Sequence, residues 1–161
     1  MRIRPYAAAD LHALHAINGA STPGVSEETE HSLAACFDAG ECWVAETPDG
    51  APAGFLSLIE TGAAGYPSPN FAWFEARGAD FIYVDRIALA PSVRGAGLGA
   101  RLYAHALKRW AGRRRVICCE VNTTPPNPGS MRFHHRLGFQ RVGDAAHDPG
   151  RYEVAFLERA L

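Results

Sequence analysis

No apolar run in this chain reaches the roughly 18–20 residues that a membrane-spanning helix needs, so a helical anchor is not expected. Neither charge sign is in surplus. Sixteen Lys and Arg face 17 Asp and Glu, a formal net charge of −1, which argues against a general nucleic-acid-binding surface. Cysteine is scarce, and none of the four (Cys36, Cys42, Cys118, Cys119) has zinc-site spacing. Cys118 and Cys119 are adjacent in VICCEV, and consecutive strand residues point to opposite faces, so reduced, mostly buried thiols are expected. Repeats, low-complexity tracts and interdomain linkers are also missing, which predicts one domain over residues 1–161. The opening MRIRPYAAADLHALH has no continuous apolar stretch of the secretory kind, so a cytoplasmic location is the expectation.

What is present is an ordinary globular composition, 47% hydrophobic and 20% charged over 161 residues, enough for a substantial core. The pattern predicts a strand at Arg2–Pro5, then a helix from about Asp10 to Asn18. A second helix is expected from Ser26 to about Asp38, ended by Gly40. Cys42–Glu46 and Ala53–Ile59 read as a hairpin around Thr47-Pro48-Asp49-Gly50. Residues 62–80, rich in glycine, proline and aromatics, fit neither a helix nor a strand pattern and predict a long loop, functional or mobile. Phe81–Ala90, Leu98–Ala111 and Arg115–Val121 form a strand–helix–strand crossover and hence a parallel pair. A short helix at Ser130–Leu137 and strands at Phe139–Val142 and Tyr152–Leu157 close the chain. The architecture is a mixed α/β sheet with helices on both faces.

The most informative segment is Arg94-Gly95-Ala96-Gly97-Leu98-Gly99-Ala100, between a strand and a helix. Glycines there admit a ligand close to the backbone, and the free N–H groups at a helix start favour a phosphate. Three glycines in five positions exceed what a plain packing turn requires. Gly95-x-Gly97-x-x-Ala100, with Glu120 about 20 residues on, also fits a dinucleotide fingerprint. Against an NAD(P)-dependent oxidoreductase, Pro91-Ser92-Val93-Arg94 separate strand from glycine, and too little chain remains for a six-stranded parallel sheet.

Taken together, these segments resemble the GNAT superfamily of acyl-CoA-dependent N-acyltransferases. Ile87-Ala88-Leu89-Ala90-Pro91 leads into Arg94-x-x-Gly97-x-Gly99. Glu120 ends a strand, Asn127 follows, and His134-His135-Arg136-Leu137-Gly138-Phe139 closes a short helix. The match runs from about Phe81 to Val142. It implies a mostly antiparallel sheet with a central parallel pair and an N-acetyltransferase using acetyl-CoA by direct amine attack in a ternary complex. The implied cofactor contacts are Arg94, Gly95, Ala96, Gly97, Leu98 and Gly99 for the pyrophosphate. Ile87, Ala88 and Leu89 would serve the pantetheine arm, a main-chain N–H there polarising the thioester carbonyl, and Asn127 would steady that arm or the short helix. The family often pairs subunits through its closing strands, which implies a homodimer.

The family also often carries Tyr where this chain has His134. An imidazole there could protonate the departing sulfur, or it could be a helix-surface residue. Glu120 is the first candidate for general base and Asp85 the second, since simple alternation puts Asp85, Ile87 and Leu89 on one face; an ion pair with Arg86 is the alternative for either. The acceptor, a small-molecule or peptide amine, is expected between residues 21–28 and the long loop. Its walls would be Tyr66, Ser68, Asn70, Phe71, Trp73 and Phe74, unless these aromatics only cap the core. No metal is implied. A binding-class alternative is an acyl-CoA sensor with little turnover.

Overall fold

The computed structural model describes residues 1–78 and 80–161. Seven strands form one sheet: β1 (Arg2–Pro5), β2 (Glu41–Glu46), β3 (Pro52–Glu60), β4 (Phe81–Leu89), β5 (Val116–Thr124), β6 (Gln140–Asp148) and β7 (Tyr152–Ala160). Their order is β1-β2-β3-β4-β5-β7-β6, and every pair is antiparallel except β4–β5. The expected mixed sheet with one central parallel pair is therefore what forms, and the doubly wound parallel sheet of a dinucleotide-binding domain is not.

Helices α1 (Leu11–Gly19), α2 (Glu30–Asp38) and α3 (Pro69–Ala76) cover one face; α4 (Leu98–Trp110) and α5 (Pro128–Arg136) cover the other. Alternation along β3 shows why. Phe55 and Ile59 pack under α1–α3, whereas Leu56 and Leu58 pack under α4 with Leu102, Tyr103 and Ala106. Fully burying one such side chain is worth about 1.5–3 kcal/mol, so the two apolar faces fix the register. The four cysteines are unpaired thiols, three of them buried and Cys36 half-buried. Among the described residues no helix is long and apolar enough to cross a membrane.

Two local expectations are corrected. The second helix starts at Glu30 rather than Ser26, because Thr29, not Ser26, is its N-cap: its hydroxyl accepts from Ser32 N, and Ser32 Oγ in turn accepts from Thr29 N. The long loop before β4 also contains a helix. Ser68 caps it by accepting from Phe71 N at 3.1 Å, and Pro69 occupies its first turn. Phe71, Phe74 and the half-buried Trp73 pack in the apolar cluster of β4, β5 and β7, which holds α3 down. This eight-residue helix is apolar nearly all round, so it shows no amphipathic period in the sequence.

Candidate functional site

β4 and β5 pair only through Phe81–Val116, Ile82–Ile117 and Tyr83–Cys118, although both strands run on for six residues. Beyond Tyr83 and Cys118 they diverge, and a wedge opens in the middle of the sheet. Backbone polar groups along such a wedge lack a ladder partner, and buried ones need one. The wedge is part of a cavity of about 1640 Å³. That exceeds the roughly 300–1,000 Å³ of a single small-molecule site, so there is room for two substrates.

One end of the cavity is built from backbone. The turn after β4 enters α4 through Gly95 and Gly97, with φ of +79° and +78°, a conformation that side-chain-bearing residues rarely adopt. A Cβ at either position would meet nothing within 4 Å, so the loop's face is open. No side chain caps the α4 N-terminus, which leaves its first N–H groups and positive dipole end toward the cavity. Gly99 has a different reason: a Cβ there would lie 3.1 Å from Phe133 Cζ, so it allows α4 and α5 to pack closely. Gly95, Gly97, Leu98 and Gly99 line the cavity, as do Ile87, Leu89 and Asn127, whereas the side chains of Ala88 and Ala96 do not. Ala88 is buried beneath α1 and α2, so these two could contribute main-chain atoms only. Arg94 lines the cavity but is also a strut, donating to Leu89 O at 3.0 Å and Ala20 O at 2.8 Å. Asn127 accepts from Ser130 N and so caps α5, the helix-steadying half of its expected role.

The other end is built from side chains. Glu120 receives a hydrogen bond from Tyr83 Oη at 2.7 Å and another from Asn70 Nδ2 at 3.0 Å. Removal from water pushes its carboxyl up to about 8, and the nearby Asp85 adds to the rise; the Tyr83 and Asn70 bonds oppose it. Asn70 also donates to Tyr152 Oη at 3.1 Å, and its Oδ1 faces His147 Nε2 at 2.7 Å, which fixes the amide orientation.

Asp85 is not where alternation puts it. β3 and β4 slip register between Ser57–Arg86 and Leu58–Val84, which leaves Asp85 as the extra residue of a bulge. Arg86 thereby turns to the α1–α2 face, while Ile87 and Leu89 face the α4 side. The Arg86 guanidinium is buried, and each of its nitrogens donates. Nε donates to Asp85 Oδ2 at 2.7 Å, Nη1 to Asn18 Oδ1 at 3.2 Å, and Nη2 to Glu28 Oε1 at 3.1 Å. Of the two carboxylates proposed as base, Asp85 is thus the ion-paired one.

His134 is buried rather than a surface residue. Its Nδ1 lies 2.8 Å from Ser130 O, an acceptor only, so Nδ1 carries the proton and Nε2 accepts from Tyr103 Oη at 2.7 Å. Burial lowers its proton affinity. Both ring nitrogens are thus engaged, one on the α5 backbone and the other on Tyr103.

The acceptor wall is corrected too. Tyr66, Ser68 and Asn70 line the cavity, but Phe71, Trp73 and Phe74 do not. Trp73 stacks on Phe156 at 4.0 Å, and Phe71 lies edge-on to Phe81 and Tyr83. The other walls are residues of α2 (Ser32, Ala35, Cys36), its C-cap Ala39 and the preceding segment 21–28. Tyr83, Tyr103 and Tyr152 were missed. Only Tyr83 had a signal, since it lies two residues before Asp85 on a strand already singled out.

A family model described as "Acetyltransferase (GNAT) family" matches residues 11–139. Among solved structures, a candidate phosphinothricin N-acetyltransferase superposes with TM-score 0.72 at 26% identity, over 99% of this chain and 98% of the other. A ribosomal-protein-alanine N-acetyltransferase from Brucella melitensis gives 0.72 at 23% over all of both chains. A phosphinothricin acetyltransferase from Sinorhizobium meliloti, solved with acetyl-CoA, gives 0.73 at 23% over 99% and 88%.

Proposed function

Because the chain belongs to the GNAT acetyltransferase family, we propose that it transfers the acetyl group of acetyl-CoA to a primary amine by direct attack in a ternary complex. The observation that carries this reading is the wedge between β4 and β5, with an open glycine turn at one end and a carboxyl of raised proton affinity at the other.

The residues fit the coenzyme. Gly95 and Gly97 present an open backbone face, the uncapped N-terminus of α4 suits a diphosphate, and Arg94 adds positive charge beside it. Acetyl-CoA supplies an activated acetyl thioester. Main-chain groups from Ile87 to Leu89 hold the pantetheine arm as an added strand, and one of their N–H groups polarises the carbonyl.

Glu120 takes a proton from the incoming ammonium group. A carboxyl near 8 is closer to an amine's own proton affinity than an ordinary glutamate, which reduces the uphill part of that transfer. The freed nitrogen bonds to the acetyl carbon, the carbon–sulfur bond breaks, and the second nitrogen-bound proton balances the thiolate. Tyr83 and Asn70 hold Glu120 in place, and His134 holds Tyr103 on the opposite face of the sheet. Cys119 is no rival nucleophile, because burial drives its thiol well away from the thiolate form.

The test is acetyl-CoA consumption over a panel of primary amines, with coenzyme binding measured separately by calorimetry. Binding with transfer to at least one amine is expected. Binding without transfer to any acceptor makes the protein a sensor, and no binding removes the reading altogether.

A further inference from the structure

The two ends of the cavity carry opposite charge, and the acidic end has no cation to spare. Among the described residues three arginines line the cavity: Arg86, Arg94 and Arg136. Arg94 belongs to the glycine turn and Arg136 to the last turn of α5, which leaves Arg86 as the one guanidinium among the acidic groups. It is 7% exposed, and Asp85, Glu28 and Asn18 occupy all three of its nitrogens. Glu28 is fixed there: hydrogen bonds from Ser32 and Ser26, together with Arg86, hold it ionised below the usual carboxylate range despite its partial burial.

Two carboxylates, Glu28 and Asp85, thus share the single charge of Arg86, and Glu120 lies near Asp85. An α-carboxylate on the acceptor is separated from its amine by one carbon, so it enters this region whenever the nitrogen reaches Glu120. It would stand beside Glu28 and Asp85, whose two charges already exceed the one positive charge of Arg86, an arrangement that interfaces use to reject partners. A neutral or cationic body meets no such conflict. The remaining walls, Ala35, Ala39, Ala63 and Tyr66, suit a small apolar one.

Resting on the acetyltransferase reading, we propose that the acceptor is a carboxylate-free primary amine, of the kind found in alkylamines, amino-acid amides and peptide N-termini, and that free α-amino acids are excluded by Glu28 and Asp85, which share the charge of Arg86 between them.

The experiment compares L-leucinamide, isoamylamine, L-leucine and phosphinothricin as acceptors of the full-length protein, each kcat/KM corrected for its free-amine fraction. Leucinamide and isoamylamine should exceed leucine by at least about 10-fold, the scale of one unfavourable charge contact, and phosphinothricin, with two acidic groups, should be poorer still. In the presence of CoA, leucinamide should raise the melting temperature and leucine should not. Glu28→Gln should narrow the leucinamide-to-leucine ratio several-fold by removing a repelling charge and releasing one Arg86 donor. Leucine or phosphinothricin used as well as leucinamide would overturn the proposal, as would a Glu28→Gln ratio equal to the wild type. So would acetyl-CoA binding with no transfer to leucinamide or isoamylamine and no thermal shift from either. Failure of acetyl-CoA to bind at all is a different result, and it removes the parent reading.

Discussion

The glycine-turn end and the acidic end of the cavity solve their problems with different parts of the polypeptide. At the glycine turn the groups presented are main-chain N–H groups, set by two positive-φ glycines two residues apart and the helix that follows. Everything needed is local. At the acidic end the groups are side chains from α2 and the segment before it, α3, β4, β5 and β7, held by bonds such as Tyr83–Glu120 and Asn70–Tyr152 that join residues 37 and 82 positions apart. A backbone site tolerates side-chain variation wherever the dihedrals are kept. A side-chain site fails when any one partner is removed.

The sharpest way to break this comparison is at its acidic end. Glu120→Gln should lower kcat by about 10²–10³-fold, within the range for loss of a general base, with acetyl-CoA affinity unchanged. The wild-type rate should rise with pH through an inflection near 8, and the variant should lack it. Next in size is Asp85→Asn. It strips one of two carboxylates from a buried guanidinium, and stability should fall toward the lower end of the ~3–5 kcal/mol typical of broken buried pairs, since Glu28 remains; urea melts check this.

Gly97→Val attacks the backbone end. Forcing φ of +78° on a branched residue costs about 1–2 kcal/mol, so acetyl-CoA affinity should fall about 10-fold while kcat at saturation stays nearly constant. His134→Phe leaves the buried Tyr103 hydroxyl without its acceptor, a loss of about 1–3 kcal/mol in stability. The double variant with Tyr103→Phe should be no worse than His134→Phe alone, whereas additive losses would separate the two residues.

The smallest effect is on pH-dependent stability. Glu120 binds its proton more tightly when folded, so its stabilising contribution is complete below the ordinary carboxylate range and is lost as pH climbs to about 8. The melting-temperature advantage of Glu120→Gln should therefore grow between pH 5 and pH 8. A constant difference would place Glu120 in a more watery setting.

This contrast also explains what could be read from the sequence. The sheet, the crossover, the glycine turn between strand and helix, and the place of Glu120 on its strand were legible because each depends on residues near in sequence or on alternation. Asp85 was assigned to the wrong face because a bulge is decided by the partner strand, here at Ser57–Leu58. Phe71 and Trp73 were placed in the acceptor wall because helix α3 has no amphipathic period, and its aromatics turn to Phe81 and Phe156 instead. His134 was found by position, but its bond to Tyr103 was not, because that residue lies 31 positions away on another helix.

The most direct test is a calorimetric titration of acetyl-CoA into wild type, Glu120→Gln and Gly97→Val. If backbone at one end binds the coenzyme and side chains at the other act on the amine, wild type and Glu120→Gln will bind one equivalent with equal affinity, and Gly97→Val about 10-fold more weakly. Glu120→Gln binding as poorly as Gly97→Val, or no saturable binding to the wild type, would contradict that division of labour.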